Sequence, residues 1–112
     1  MRSFISVLFF GFIALNSFAQ DLNKYFAQGK FNSEDKVLMK SIEQSILNKP
    51  DIWMVRIDPT NGNVLIFSNP LPFWTEEELS SLFGENADLF TCPFIGIVRQ
   101  DEFRTFPFDN CE

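Results

Sequence analysis

The chain has 112 residues, no histidine, two cysteines and a formal net charge of −6. That length builds one small domain, and the missing histidine excludes Ser-His-Asp and Cys-His catalysis, histidine zinc sites and a histidine pH switch. The acidic balance repels phosphate backbones and anionic headgroups, which speaks against nucleic acid and membrane surfaces as partners.

The N-terminus opens Met1-Arg2, continues as an apolar run from Phe4 to Leu15 and ends Asn16-Ser17-Phe18-Ala19. A positive start, an apolar centre and small residues at −3 and −1 form the signal-peptide pattern. An apolar core of about a dozen residues falls short of the ~20 that span a bilayer. Residues 1–19 are therefore expected to be a cleaved leader, with Gln20 as the new terminus and export to the periplasm or the extracellular space. No cysteine follows the cleavage point as a lipid anchor, so no membrane attachment is expected after cleavage. Removing Arg2, the only charge of the leader, takes the net charge from −6 to −7.

Residues 20–32 mix Asp21, Lys24, Gly29 and Lys30 with Leu22, Tyr25, Phe26 and Phe31 and show no clear period. They read as a lead-in segment, part helical, that docks through its aromatics, ahead of a single α+β domain over 33–112. Ser33 suits an N-cap, with Glu34 and Asp35 favourably placed in the first turn. Leu38, Ile42 and Ile46 then recur every four residues, widened by Val37, Met39 and Leu47, which predicts an amphipathic helix stopped by Pro50. Ile52-Trp53-Met54-Val55-Arg56-Ile57 reads as a strand. Asp58-Pro59-Thr60-Asn61-Gly62-Asn63 is turn chemistry, and Val64-Leu65-Ile66-Phe67 returns as the second arm of a hairpin. Trp53, Val55 and Ile57 are expected to face the helices, because Arg56 belongs on the wet side.

After a loop holding Pro70 and Pro72, Thr75 and Glu78 form a capping box, with Trp74 and Leu79 at the positions of a hydrophobic staple. Leu79, Leu82 and Phe83 face inward and Gly84 ends this short second helix. The acidic run Glu76-Glu77-Glu78 is explained by the helix start and needs no cation. Phe94-Ile95-Gly96-Ile97-Val98-Arg99 reads as a third strand, turned by Gln100-Asp101-Glu102 into a return over 103–108. Placing Arg99 opposite Arg104 makes Ile97 face Phe106 and Ile95 face Phe108, and brings Cys92 opposite Cys111.

In an oxidising compartment that pair reads as a disulfide closing a loop of about twenty residues, worth ~3 kcal/mol. The alternative, a soft-metal pair, lacks close spacing and further ligands. Asp51 and Asp58 flank a strand in turn roles, and the glycines lack phosphate-loop spacing. No catalytic residue, metal site or cofactor is expected. The C-terminal half is rich in phenylalanine and tryptophan, mostly core material. A two-layer fold leaves one sheet face open, and Phe73, Trp74 and Phe103 are candidate interaction residues for another protein or for self-association.

Ile42, Ile46, Pro50-Asp51-Ile52, Val55, Ile57-Asp58, Asn61-Gly62, Val64, Ile66, Glu76-Glu77-Glu78-Leu79 and Gly84 together resemble the later part of the heavy-metal-associated domain, a ferredoxin-like fold. The resemblance implies a small two-layer sandwich with an antiparallel-rich sheet and two helices on one face. With the order α-β-β-α-β-β, the last strand takes the place of a missing first one, giving a circularly permuted ferredoxin-like sheet; alternatively, residues 20–32 supply an edge strand. The family's Cys-x-x-Cys metal loop is absent, since no cysteine precedes Ser33. The function expected is that of a small exported, non-catalytic binding domain. The alternatives are a metal-handling protein or an enzyme with an unreadable site. Mass spectrometry of the exported protein is expected to find a chain beginning at Gln20, and an intact Met1 terminus in that fraction would overturn the leader assignment.

Overall fold

The computed structural model describes residues 22–105. The elements are β1 (Tyr25–Phe31), α1 (Lys36–Leu47), β2 (Ile52–Ile57), β3 (Asn63–Ser68), α2 (Glu76–Ser81), a 3-10 turn (Gly84–Leu89) and β4 (Phe90–Ile97). The α+β class is as expected, with one antiparallel four-stranded sheet in the order β2-β3-β1-β4. Both helices contribute to a single apolar cluster against one sheet face. Among the described residues no helix is long and apolar enough to cross a membrane.

Residues 25–31 are neither helical nor an edge. They form the central strand, paired with β3 on one side and β4 on the other. The sheet is therefore the unpermuted β-α-β-β-α-β arrangement, and the split βαβ unit starts in the segment expected to be a lead-in. The lack of a period has a physical cause. Six of the seven residues of β1 are buried, so both faces are covered and polar/apolar alternation has nothing to mark.

α1 starts two residues later than expected. Asp35 is the N-cap and accepts from the Val37 and Leu38 N–H groups at 3.1 and 3.0 Å, while Ser33 Oγ accepts from Asp35 N–H. The shift sets the buried stripe at Met39, Ile42 and Ile46, leaving Leu38 partly buried and Val37 and Leu47 exposed. The β2–β3 turn follows its chemistry. Asp58 Oδ1 and Asn61 Oδ1 accept from the backbone two residues on, and Gly62 takes φ +78, where an added Cβ would strike the Phe31 carbonyl oxygen. Thr75 caps α2 by accepting from Glu78 N–H at 3.1 Å, and Trp74 and Leu79 on either side of the cap are both buried.

β2 does not alternate cleanly. Ile52 pairs with Ser68 and Met54 with Phe67, so β2 carries one extra residue there. The bulge sends Ile52, Val55 and Ile57 inward and leaves Trp53 outside, 65% exposed. The expected inward set is thus right for Val55 and Ile57 and wrong for Trp53. β4 begins earlier and ends earlier than expected. A second bulge lies between the pairs Gln28–Phe94 and Lys30–Thr91, where Cys92 takes φ +58. Pro93 sits in this bulge on an edge strand, where a missing donor is tolerated.

The expected return strand is not formed over 103–105, which lie outside any strand, and residues 106–108 are beyond the described residues. Arg104 is placed against Phe94 and Gln28 rather than opposite Arg99. Ile42 lies at the centre of the buried stripe, 6% exposed. Ile42→Ala should cost ~2–5 kcal/mol by denaturant unfolding. A loss below ~0.5 kcal/mol would mark a surface position and contradict the packing.

Candidate functional site

The sheet face opposite the helices carries a continuous row of rings. Trp53 on β2 meets Phe67 on β3 edge-on at 6.0 Å, and Phe67 meets Phe103 edge-on at 6.0 Å. Phe103 lies 4.5 Å from Phe26 on β1, and Phe26 lies 5.9 Å from Phe94 on β4. The Arg104 guanidinium covers the Phe94 ring at 4.0 Å to its centroid. Tilted and edge-on geometry is what ring quadrupoles favour, and a cation over a ring face gains further attraction.

The two ends of this row differ. Phe26 is fully buried, because Phe103 and Phe94 lie against it and Gly96, its cross-strand partner, leaves room for the ring. A Cβ on Gly96 would come within 2.4 Å of Phe26 Cζ. At the other end Trp53 stays in water at the β2 bulge, beside an open hollow of about 440 Å³ lined by Leu22, Lys24, Trp53, Phe67, Val98 and Arg99.

Charge follows the same division. The strand positions on this face carry Lys30 and Arg56, with Lys24 just before β1, and no carboxylate. Most acids gather elsewhere, with Glu34 and Asp35 at the head of α1, Glu76, Glu77 and Glu78 at the head of α2, and Glu85 and Asp88 in the 3-10 turn, while Asp101 stands beside Gly96 at the β4 end of the face. In a chain of net charge −6, the β2–β3 half of this face thus presents aromatic rings beside Lys24 and Arg99.

Both sheet edges are blunted. On β2 the Ile57 N–H donates to Glu43 Oε2 of α1 at 2.9 Å. On β4 the Ile97 N–H donates to Asp101 Oδ2 at 2.7 Å, and Pro93 has no N–H. Side chains that occupy edge donors discourage strand addition, which leaves the face rather than the edges as the docking surface.

Of the residues singled out from sequence, Phe103 is on this face and 56% exposed. Phe73 is 61% exposed in the loop after β3 and joins none of the ring contacts of the row. Trp74 is not a surface residue. It is buried on the helix side, 6.4 Å from Tyr25, because the staple position points it into the core. Cys92 lies partly buried on β4 and is not a free thiol, whereas Cys111 lies outside the described residues. Sequence reasoning missed Trp53 and Gln28 as members of the open face. A bulge places the first, and the second is a polar residue of a strand without visible period. Among the described residues no three His, Cys, Asp or Glu side chains gather into a metal-ligating group.

The burial contrast between the two tryptophans is measurable. Trp74→Ala should cost ~3–5 kcal/mol, and Trp53→Ala about 1 kcal/mol or less, in denaturant titrations. Equal losses would contradict the assigned faces. Compared with protein-family models, curated proteins and solved structures, the chain matches none.

Proposed function

We propose that the mature chain is a small exported binding domain without catalytic activity, which holds a partner protein on the β2–β3 half of the open sheet face. The carrying observation is Trp53, 65% exposed on a strand, edge-on to Phe67. A ring carried on a strand and braced edge-on by Phe67 loses little conformational entropy on binding, and tryptophan is enriched among interface anchors. Lys24 and Arg99 line the hollow beside it, so the fitting partner presents an apolar anchor flanked by carboxylates.

In the exported compartment Cys92 and Cys111 form a disulfide that ties the C-terminal end to β4. The absence of a free cysteine among the described residues supports this pairing. For a small core, the ~3 kcal/mol of such a loop closure is a large share of the stability.

Site-specific photo-crosslinking tests the partner reading. A benzophenone side chain placed at Trp53 is expected to yield one adduct of defined mass in the native compartment. The same group at Val37, 80% exposed on α1, is expected to yield none. The adduct should weaken as salt rises from about 0.01 to about 1 M, since screening acts on the cations around the hollow. Equal labelling at both positions, or none at Trp53, would sink the proposal.

A further inference from the structure

The hollow beside Trp53 has two unlike walls. Strand order puts Trp53 and Phe67, on β2 and β3, along one of them. The other is built where β1 begins and β4 ends, and it carries Lys24 and Arg99. Backbone bonds hold that second wall in place. Asn23 and Leu71 each donate to the other's carbonyl at 2.9 Å, and the Val98 N–H donates to the Lys24 carbonyl at 2.9 Å. The two cations thus stand on adjoining segments, and no carboxylate lines the hollow. Asp101, two residues beyond Arg99, already accepts from the Ile97 N–H at 2.7 Å. Among the described residues no ion pair engages Lys24 or Arg99.

Arg99 also stands where an arginine is costly. Gln100 and Asp101 both donate to the Ile97 carbonyl, closing a turn in which Arg99 is the third residue, at φ +72. A positive φ at that position favours glycine or asparagine, because a Cβ crowds the backbone there. Backbone strain of this kind gathers at functional sites and ligand clamps. The use this geometry offers the side chain is a second positive charge on the wall of the hollow.

We infer that the hollow takes the C-terminal residue of the partner chain, with its apolar side chain against Trp53 and Phe67 and its α-carboxylate between Lys24 and Arg99. This rests on the reading that a protein docks at Trp53, and narrows it to one kind of segment. A volume of about 440 Å³ lies near the lower end of ligand sites, roughly 300–1,000 Å³, and admits a residue or two rather than a broad surface. The sealed sheet edges leave a partner strand little to pair with. Within an extended segment, the residue after an apolar anchor points to the opposite side, and the next on the same side stands about 7 Å further along. A chain end carries the apolar group and the carboxylate on one Cα, compact enough for this hollow.

Nitrogen-15 NMR titration of the full mature chain tests it. The two tryptophan indoles report separately, Trp53 in water and Trp74 buried. The probes are an acetylated Gly-Ser-Gly-Phe peptide with a free carboxylate, the same peptide as its C-terminal amide, and phenylacetate. The free acid is expected to shift the Trp53 indole and the Arg99 amide saturably and to leave Trp74 in place. The amide should bind at least about tenfold more weakly. Lys24→Gln and Arg99→Gly should each reduce that preference. Arg99→Gly should also leave the midpoint of unfolding unchanged or higher, since glycine suits the turn.

Equal affinity of acid and amide overturns the inference, as does a preference that neither substitution reduces. A lowered midpoint in Arg99→Gly also overturns it, because the arginine would then serve the fold. Phenylacetate binding as tightly as the peptide does the same, since the chain would contribute nothing. In each of these cases a photo-adduct at Trp53 leaves docking there standing, whereas its absence removes both readings.

Discussion

A central strand with large side chains on both faces needs cover on both faces, and β1 sets that demand. Tyr25, Ala27 and Phe31 enter the cluster shared with the helices, while Phe26 and Gln28 point to the side that has no helix. On that side a fully buried phenylalanine and a nearly buried amide have to be shielded, and the amide must find partners, because an unsatisfied buried amide costs more than a hydrogen bond returns. The segment after β4 meets both needs. It brings a ring to Phe26 and a backbone N–H and C=O to Gln28. No buried side-chain polar atom among the described residues is left without a partner.

That arrangement divides the sheet face and gives the division a functional meaning. Half of the face is covered by Phe103 and Arg104 after β4, and the other half retains an exposed tryptophan beside Lys24 and Arg99. The bulges shape both halves. One extra residue in β2 rotates Trp53 out of the core, and one in β4 places Cys92 and Pro93 at the sheet edge. Carboxylates seal the outer donors of Ile57 and Ile97, so the sheet is protected against strand addition while its face stays available. Binding on a face rather than an edge suits a rigid aromatic anchor, whereas edge pairing would rely on main-chain groups that this fold has already occupied.

Local signals carried the hairpin, the second helix cap and the stop at Pro50, because each depends on residues within a few positions. The Asp58 and Asn61 side-chain bonds, the positive φ of Gly62 and the Thr75 cap are such features. The helix between them was legible through its four-residue repeat, although the cap moved from Ser33 to Asp35 and the stripe turned to centre on Met39, leaving Leu38 half-buried and Val37 and Leu47 exposed. Either residue can cap a helix, and the choice between them rests on which stripe fits the sheet.

What the sequence by itself determined is therefore the α+β class, the order of elements from the first helix to the last strand, and the absence of histidine chemistry. What only the tertiary structure decided is the place of residues 25–31, the faces of Trp53 and Trp74, and the cover over Phe26. The reason is common to all three. A central strand buried on both faces loses its alternation, and a bulge reverses the faces of the residues beyond it without a signature in composition. The segment after β4 likewise meets the sheet through contacts between positions as distant as Gln28 and Arg104, and such pairings exist only once the chain has folded back on itself.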